Sequence, residues 1–166
     1  MPLLNKNLIK NNKKAIFIHL AIIGLTCIFP AILAPIPNIF NGSAIIYAML
    51  IFAITLYVCG AQFLESSSTL NNLISCLSPS FIGFLLWLLC YFSSPKDMDW
   101  KFGQGGIWLL YELYNYGSML IYALIEERFE IEYLNPSALM TTSFLPTVVI
   151  FVGLQLKRNI FKKKDG

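Results

Sequence analysis

Apolar residues run through this chain in five long blocks, 15–36, 44–64, 73–92, 107–125 and 137–156, separated by short polar stretches. Each block approaches the about 20 residues that an α-helix needs to cross a hydrocarbon core. The pattern predicts an all-α polytopic integral membrane protein, a single transmembrane helical bundle over residues 1–166 with four to five hydrophobic helices. Prolines interrupt three blocks: Pro30 and Pro35 in the first, Pro79 in the third, Pro146 in the fifth. Such prolines are tolerated where neighbouring helices or Ser/Thr side chains satisfy the freed carbonyls. Ser78 and Ser80 flank Pro79, and Thr142 and Ser143 precede Pro146, so these side chains are expected to perform that rescue.

Composition agrees with the pattern. The 166 residues are 57% hydrophobic and 13% charged, against a charged share of roughly 25% in soluble domains. Charge gathers in the basic ends 1–14 and 157–166 and in two connections. Residues 93–106 carry Lys96, Asp97, Asp99, Trp100 and Lys101, a candidate external-loop contact. Residues 126–136 hold four glutamates against Arg128. Residues 65–72 (ESSSTLNN) are suited to capping the third helix. The basic start and first apolar block resemble a secretory signal, but Ile32 and Pro35 around the small Ala34 argue against cleavage, so 15–36 is expected to remain as a span.

Cytoplasmic flanks collect Lys and Arg. Lys6, Lys10, Lys13 and Lys14 precede the first block, and Lys157, Arg158, Lys162, Lys163 and Lys164 follow the last. Both termini are therefore expected in the cytoplasm, which requires an even number of crossings. If 107–125 does not cross, those nine basic residues oppose Lys96, Lys101 and Arg128; five crossings would leave five inside against seven outside. Omitting one of the first three blocks would satisfy the rule as well, so charge demands an even count without choosing the block. Polarity chooses it. A charge at a helix centre costs roughly 2.5–3.5 kcal/mol on insertion scales, and Glu112 with Asn115 makes 107–125 the least apolar block. Its tyrosines and Trp108 suit a membrane interface. The expected architecture is four full crossings plus a re-entrant or interfacial helix at 107–125, with five crossings as the alternative.

As one helix, 107–125 would place Glu112, Asn115 or Tyr116, and Met119 on one face, with Ser118 close by. Glu112, Asn115 and Ser118 form the candidate polar intramembrane or interfacial site. A polar stripe of this kind turns toward protein, water or the interface. His19, the single histidine, lacks the companions of a metal site, which uses three or four ligands, and is expected to pack. Cys27, Cys59, Cys76 and Cys90 form no CxxC pair and read as small hydrophobes. Ser66–Ser68, Ser78 and Ser80 lack a nucleophile-elbow setting, and no Walker or dinucleotide motif occurs. No catalytic residue, metal or cofactor is expected. Gly24, Gly60, Gly83 and Gly153 lie in different blocks and would let helices approach closely.

Lys157, Arg158, Lys162, Lys163 and Lys164 are the candidate contact for anionic lipid or a cytoplasmic partner; the tail is too short for nucleic-acid binding. The layout, basic at both ends, resembles small bacterial accessory membrane proteins such as colicin-immunity proteins and the membrane subunit of the Kiwa phage-defence pair, a likeness of build that transfers no sites. It implies a non-enzymatic sensor, immunity or scaffold subunit of a bacterial inner-membrane assembly, with membrane lipids and a partner protein or further copies as companions. A small channel or transporter using Glu112 and Asn115 is the alternative, and an intramembrane Cys/His enzyme a third.

Overall fold

The computed structural model describes residues 2–33, 43–94, 106–129 and 136–164. All described elements are helices: α1 (Pro2–Leu33), α2 (Ser43–Ala61), α3 (Thr69–Ile74), α4 (Leu77–Ser93), α5 (Gly106–Tyr114), α6 (Tyr116–Phe129), α7 (Pro136–Leu139), a 3₁₀ segment (Met140–Phe144) and α8 (Leu145–Lys164). Three stretches are long and apolar enough to cross a membrane: Lys6–Ile32, Ala44–Ala61 and Ser137–Ile160. Leu77–Ser93 is a shorter apolar helix.

The helix boundaries correct the block pattern in four places. First, α1 starts at Pro2, where a missing N–H costs nothing in a first turn. Lys6 to Lys14 are therefore helical. At 32 residues, α1 is about 48 Å long, well beyond a hydrocarbon core of about 30 Å. Second, the block 73–92 contains two helices. Ser68 accepts a hydrogen bond from the Asn71 amide as N-cap of the short α3, and α4 begins only at Leu77.

Third, neither Pro79 nor Pro146 interrupts a helix. Pro79 is the third residue of α4, where amides have no intrahelical acceptor, and Pro146 the second of α8, directly after a 3₁₀ segment that continues the same helical run. Of the serines and threonines beside them, only Thr142 donates to a carbonyl of its own helical run, that of Leu139. Ser78 bonds Asn12 and Ser80 bonds Thr147, while Thr142 and Ser143 meet Tyr111. The Thr142 carbonyl that Pro146 would orphan accepts from the Leu145 amide in the 3₁₀ turn. Fourth, 107–125 is broken at Asn115 into α5 and α6.

Two apolar clusters hold the bundle. One joins Ala15 and Ile22 of α1, Ala53, Tyr57 and Ala61 of α2, and Ile150 and Leu154 of α8. The other joins Trp87 and Cys90 of α4, Trp108 and Tyr111 of α5, Met119 of α6 and Leu139. Small residues set the closest approaches. Gly153 of α8 lies on Val58 and Ala61, and Gly117 of α6 on Ala53, so α8 and α6 share the length of α2 between them. Gly60 lies against Ile18, and Gly83 against Asn115 and Ser143; Gly24, expected to do likewise, has nothing within 4 Å of its Cβ position.

These contacts give the direction of the broken segment. Lys10, Lys14 and Lys157 mark one end of the bundle, where they meet residues 62–65. The opposite end is marked by Ser94, which accepts from the Trp108 indole at the start of α5. From there α5 descends along α4 until the Tyr114 hydroxyl reaches the Pro79 carbonyl. The chain turns at Asn115, and α6 packs on α2. Leu139, Tyr111 and Met119 share one cluster, so the segment 136–144 fills the space between the two arms. Residues 106–129 form a splayed V that opens away from the lysine end.

Candidate functional site

The tip of the V lies in the polar part of the interior. Asn115 ends α5 and starts α6: its amide N–H and its side-chain Nδ2 both donate to the Tyr111 carbonyl, at 2.9 and 3.1 Å, and its own carbonyl accepts from Ser118 and Met119. A one-residue break leaves the last carbonyls of one helix and the first amides of the next without helical partners. Around it stand His19, whose Nδ1 is 2.5 Å from the Tyr57 hydroxyl, and Tyr114, whose ring meets the His19 ring edge-on at 4.5 Å. On the other side the Tyr111 hydroxyl lies 2.5 Å from the Leu139 carbonyl, 2.8 Å from Thr142 Oγ1 and 3.1 Å from Ser143 Oγ. Ser80 donates to Thr147, which donates to the Cys76 carbonyl. The His19 ring faces the Tyr114 backbone, while at the break Asn115 Oδ1 and Ser118 Oγ are buried with no hydrogen-bond partner among the described residues. A buried polar atom left so costs about 1–3 kcal/mol.

A second polar assembly closes the lysine end. Four successive carbonyls after α2 are each taken by a side chain from another helix. Lys157 donates to Gln62 and Leu64, Lys14 to Phe63, and Asn11 to Glu65. Cations at a helix C-terminus also match the negative end of its dipole. Asn11, 2% exposed, accepts from the Glu65 amide as well, so its amide closes a reciprocal pair with one residue. Asn12 spans two helix ends, donating to the Ile74 carbonyl of α3 and accepting from the Ser78 amide of α4. Lys10 makes an ion pair with Glu65 at 2.7 Å. The Lys10 ammonium holds the Glu65 carboxyl below its ordinary range, but an exposed pair of this kind contributes little.

The expected site residues separate on this framework. Asn115 and Ser118 are buried together at the V, whereas Glu112 is half-buried on α5; the break removes the common helix face expected for Glu112, Asn115 and Met119. Lys157 donates to the Gln62 and Leu64 carbonyls and Arg158 to the exposed Thr69 Oγ1, so each of the two half-buried cations makes bonds within the chain. Lys162, Lys163 and Lys164 belong to the last turn of α8. Lys96, Asp97, Asp99, Trp100 and Lys101 lie outside the described residues. His19 packs, as expected. Among the described residues no group of three His, Cys, Asp or Glu is placed to hold a metal ion.

The sequence reading missed Asn11, Asn12, Tyr57 and Tyr111. One signal was present: two adjacent asparagines in the run Lys10-Asn-Asn-Lys-Lys14, a pattern a mere charge anchor does not need. No protein-family model, curated protein or solved structure compared with this chain matches it.

Proposed function

We propose that the chain is a non-enzymatic subunit of a bacterial inner-membrane assembly, acting as a sensor, immunity or scaffold component. In this reading α1, α2, α4 and α8 cross the membrane, both termini face the cytoplasm, and the V of α5 and α6 is a re-entrant hairpin. The observation that carries it is the use made of the polar interior. Tyr111, Ser80, Thr147 and Asn11 each tie one helix to another, which is structural work. Partner contact then falls to the connection 95–105 and to the basic cluster of Lys157, Arg158, Lys162, Lys163 and Lys164, of which Lys157 and Arg158 also bond within the chain. Native mass spectrometry after gentle extraction from the native membrane is expected to find further copies or a stoichiometric companion. A bare monomer would sink the proposal.

One observation favours a small channel or transporter instead: the unpartnered buried atoms of Asn115 and Ser118 at a helix break. Broken helices inside membranes can present such groups to ions. That reading requires ion flux in liposomes which Glu112→Gln reduces, and unchanged flux removes it.

A further inference from the structure

A groove of about 700 Å³ runs between α1 and α2 on the outside of the bundle. Its walls are apolar from Phe17 to Leu25 on α1 and from Leu56 to Gly60 on α2, with Phe63 just beyond, and both lysines that line it, Lys13 and Lys14, stand at one end. Phe17 and Phe63, 74% and 73% exposed, flank that end. At its base Gly60, without a side chain, lets the Ile18 side chain pack against α2. From Lys13 to Leu25 the groove covers twelve helical steps, about 18 Å. One leaflet of a hydrocarbon core of about 30 Å is about 15 Å deep. The groove therefore has the length of a single leaflet, with cations only where a headgroup would sit.

The two lysines differ in what they are free to do. Lys14 is committed to the Phe63 carbonyl at 3.0 Å. Lys13 is exposed at the groove mouth. A zwitterionic lipid would gain little from an ammonium there, whereas an anionic phosphate gains an electrostatic preference of about fivefold per basic residue near the surface.

We propose that this groove is a site for one anionic phospholipid, an acyl chain lying along Phe17 to Leu25 and the headgroup held by Lys13. The proposal rests on the membrane reading above. The test reconstitutes the full chain into vesicles of equal parts phosphatidylglycerol and phosphatidylcholine, checks insertion by flotation, and identifies retained lipid by native mass spectrometry. One phosphatidylglycerol per chain is expected. Lys13→Glu should lower its retention at least fivefold. Ala21→Trp, placed on the exposed wall of the groove, should remove it by filling the space while α1 and α2 stay packed. Insertion with equal retention of both lipids, or with retention unaffected by both variants, overturns this site and leaves the membrane reading standing. Failure to float with the vesicles overturns both. A dimer that Ala21→Trp dissociates, with no lipid adduct, would give the groove to a second copy and also overturn it.

Discussion

Gly153→Val is expected to destabilise the bundle by about 3 kcal/mol, the upper part of the range for overpacking. A Cβ at this position would come 2.7 Å from the Ala61 Cβ, 3.2 Å from the Val58 Cα and 3.3 Å from the Val58 carbonyl oxygen. Two of those three atoms are backbone, so no rotamer change relieves the clash. The helices α2 and α8 must separate, and with them Ile150 and Leu154, which are fully buried in the same cluster. Gly153→Ala should already cost about 1–2 kcal/mol. Gly24→Ala is the control: with nothing within 4 Å, it should stay within about 0.5 kcal/mol of the wild type. Reversible unfolding in bicelles measures all three, and a Gly153→Val protein as stable as the wild type would refute the packing described.

The second large effect is expected at Asn11. Asn11→Ala removes the bond to the Glu65 carbonyl, the bond from the Glu65 amide and the contact with Ser75. It leaves the Glu65 peptide group without its side-chain partners in a part-buried position. Each stranded group costs about 1–3 kcal/mol, and a total loss of roughly 3 kcal/mol is expected, together with faster hydrogen exchange at the Glu65 amide. Lys10→Ala, which removes only the exposed ion pair to the same residue, should be near neutral. If the two substitutions had equal effects, or if Glu65 exchange were unchanged in Asn11→Ala, the latch would not be what holds this end.

The two substitutions probe parts of the molecule that were unequally legible. Glycines in separate apolar blocks announced close helix contacts, and Gly60, Gly83, Gly117 and Gly153 make them, although Gly117 had not been singled out and Gly24 makes none. The difference is rotational. A glycine shortens an interhelix distance only when it faces a partner, and α1 turns Gly24 away. The asparagines were harder to read. An Asn in a basic, solvent-like stretch looks like surface, and it becomes a clamp only because residues 65 and 74–78 arrive 50 to 70 positions later in the chain.

The segment Tyr111–Gly117 shows the same division. Glu112 and Asn115 marked 107–125 as the block least suited to a straight crossing, and the chain does break there, at Asn115. Asparagine tolerates a helix interior at a cost of less than 1 kcal/mol, so local preference alone could not place the break. It lies where Asn115 meets Gly83, which Ser143 also approaches, and where Gly117 can settle on Ala53.

The sequence by itself determined that the chain is helical and that three of its apolar blocks, 15–36, 44–64 and 137–156, belong to helices long and apolar enough to cross a membrane. A long apolar run can satisfy its own backbone hydrogen bonds only by coiling, and that requirement is local. Tertiary structure decided the rest: the V at Asn115, the bonds of Lys157 and Arg158 to residues 62, 64 and 69, and the clamp of Asn11 and Asn12 on residues 65, 74 and 78. In each case the partner is a carbonyl, an amide, a hydroxyl or a gap on another helix, and its position exists only once the helices have packed.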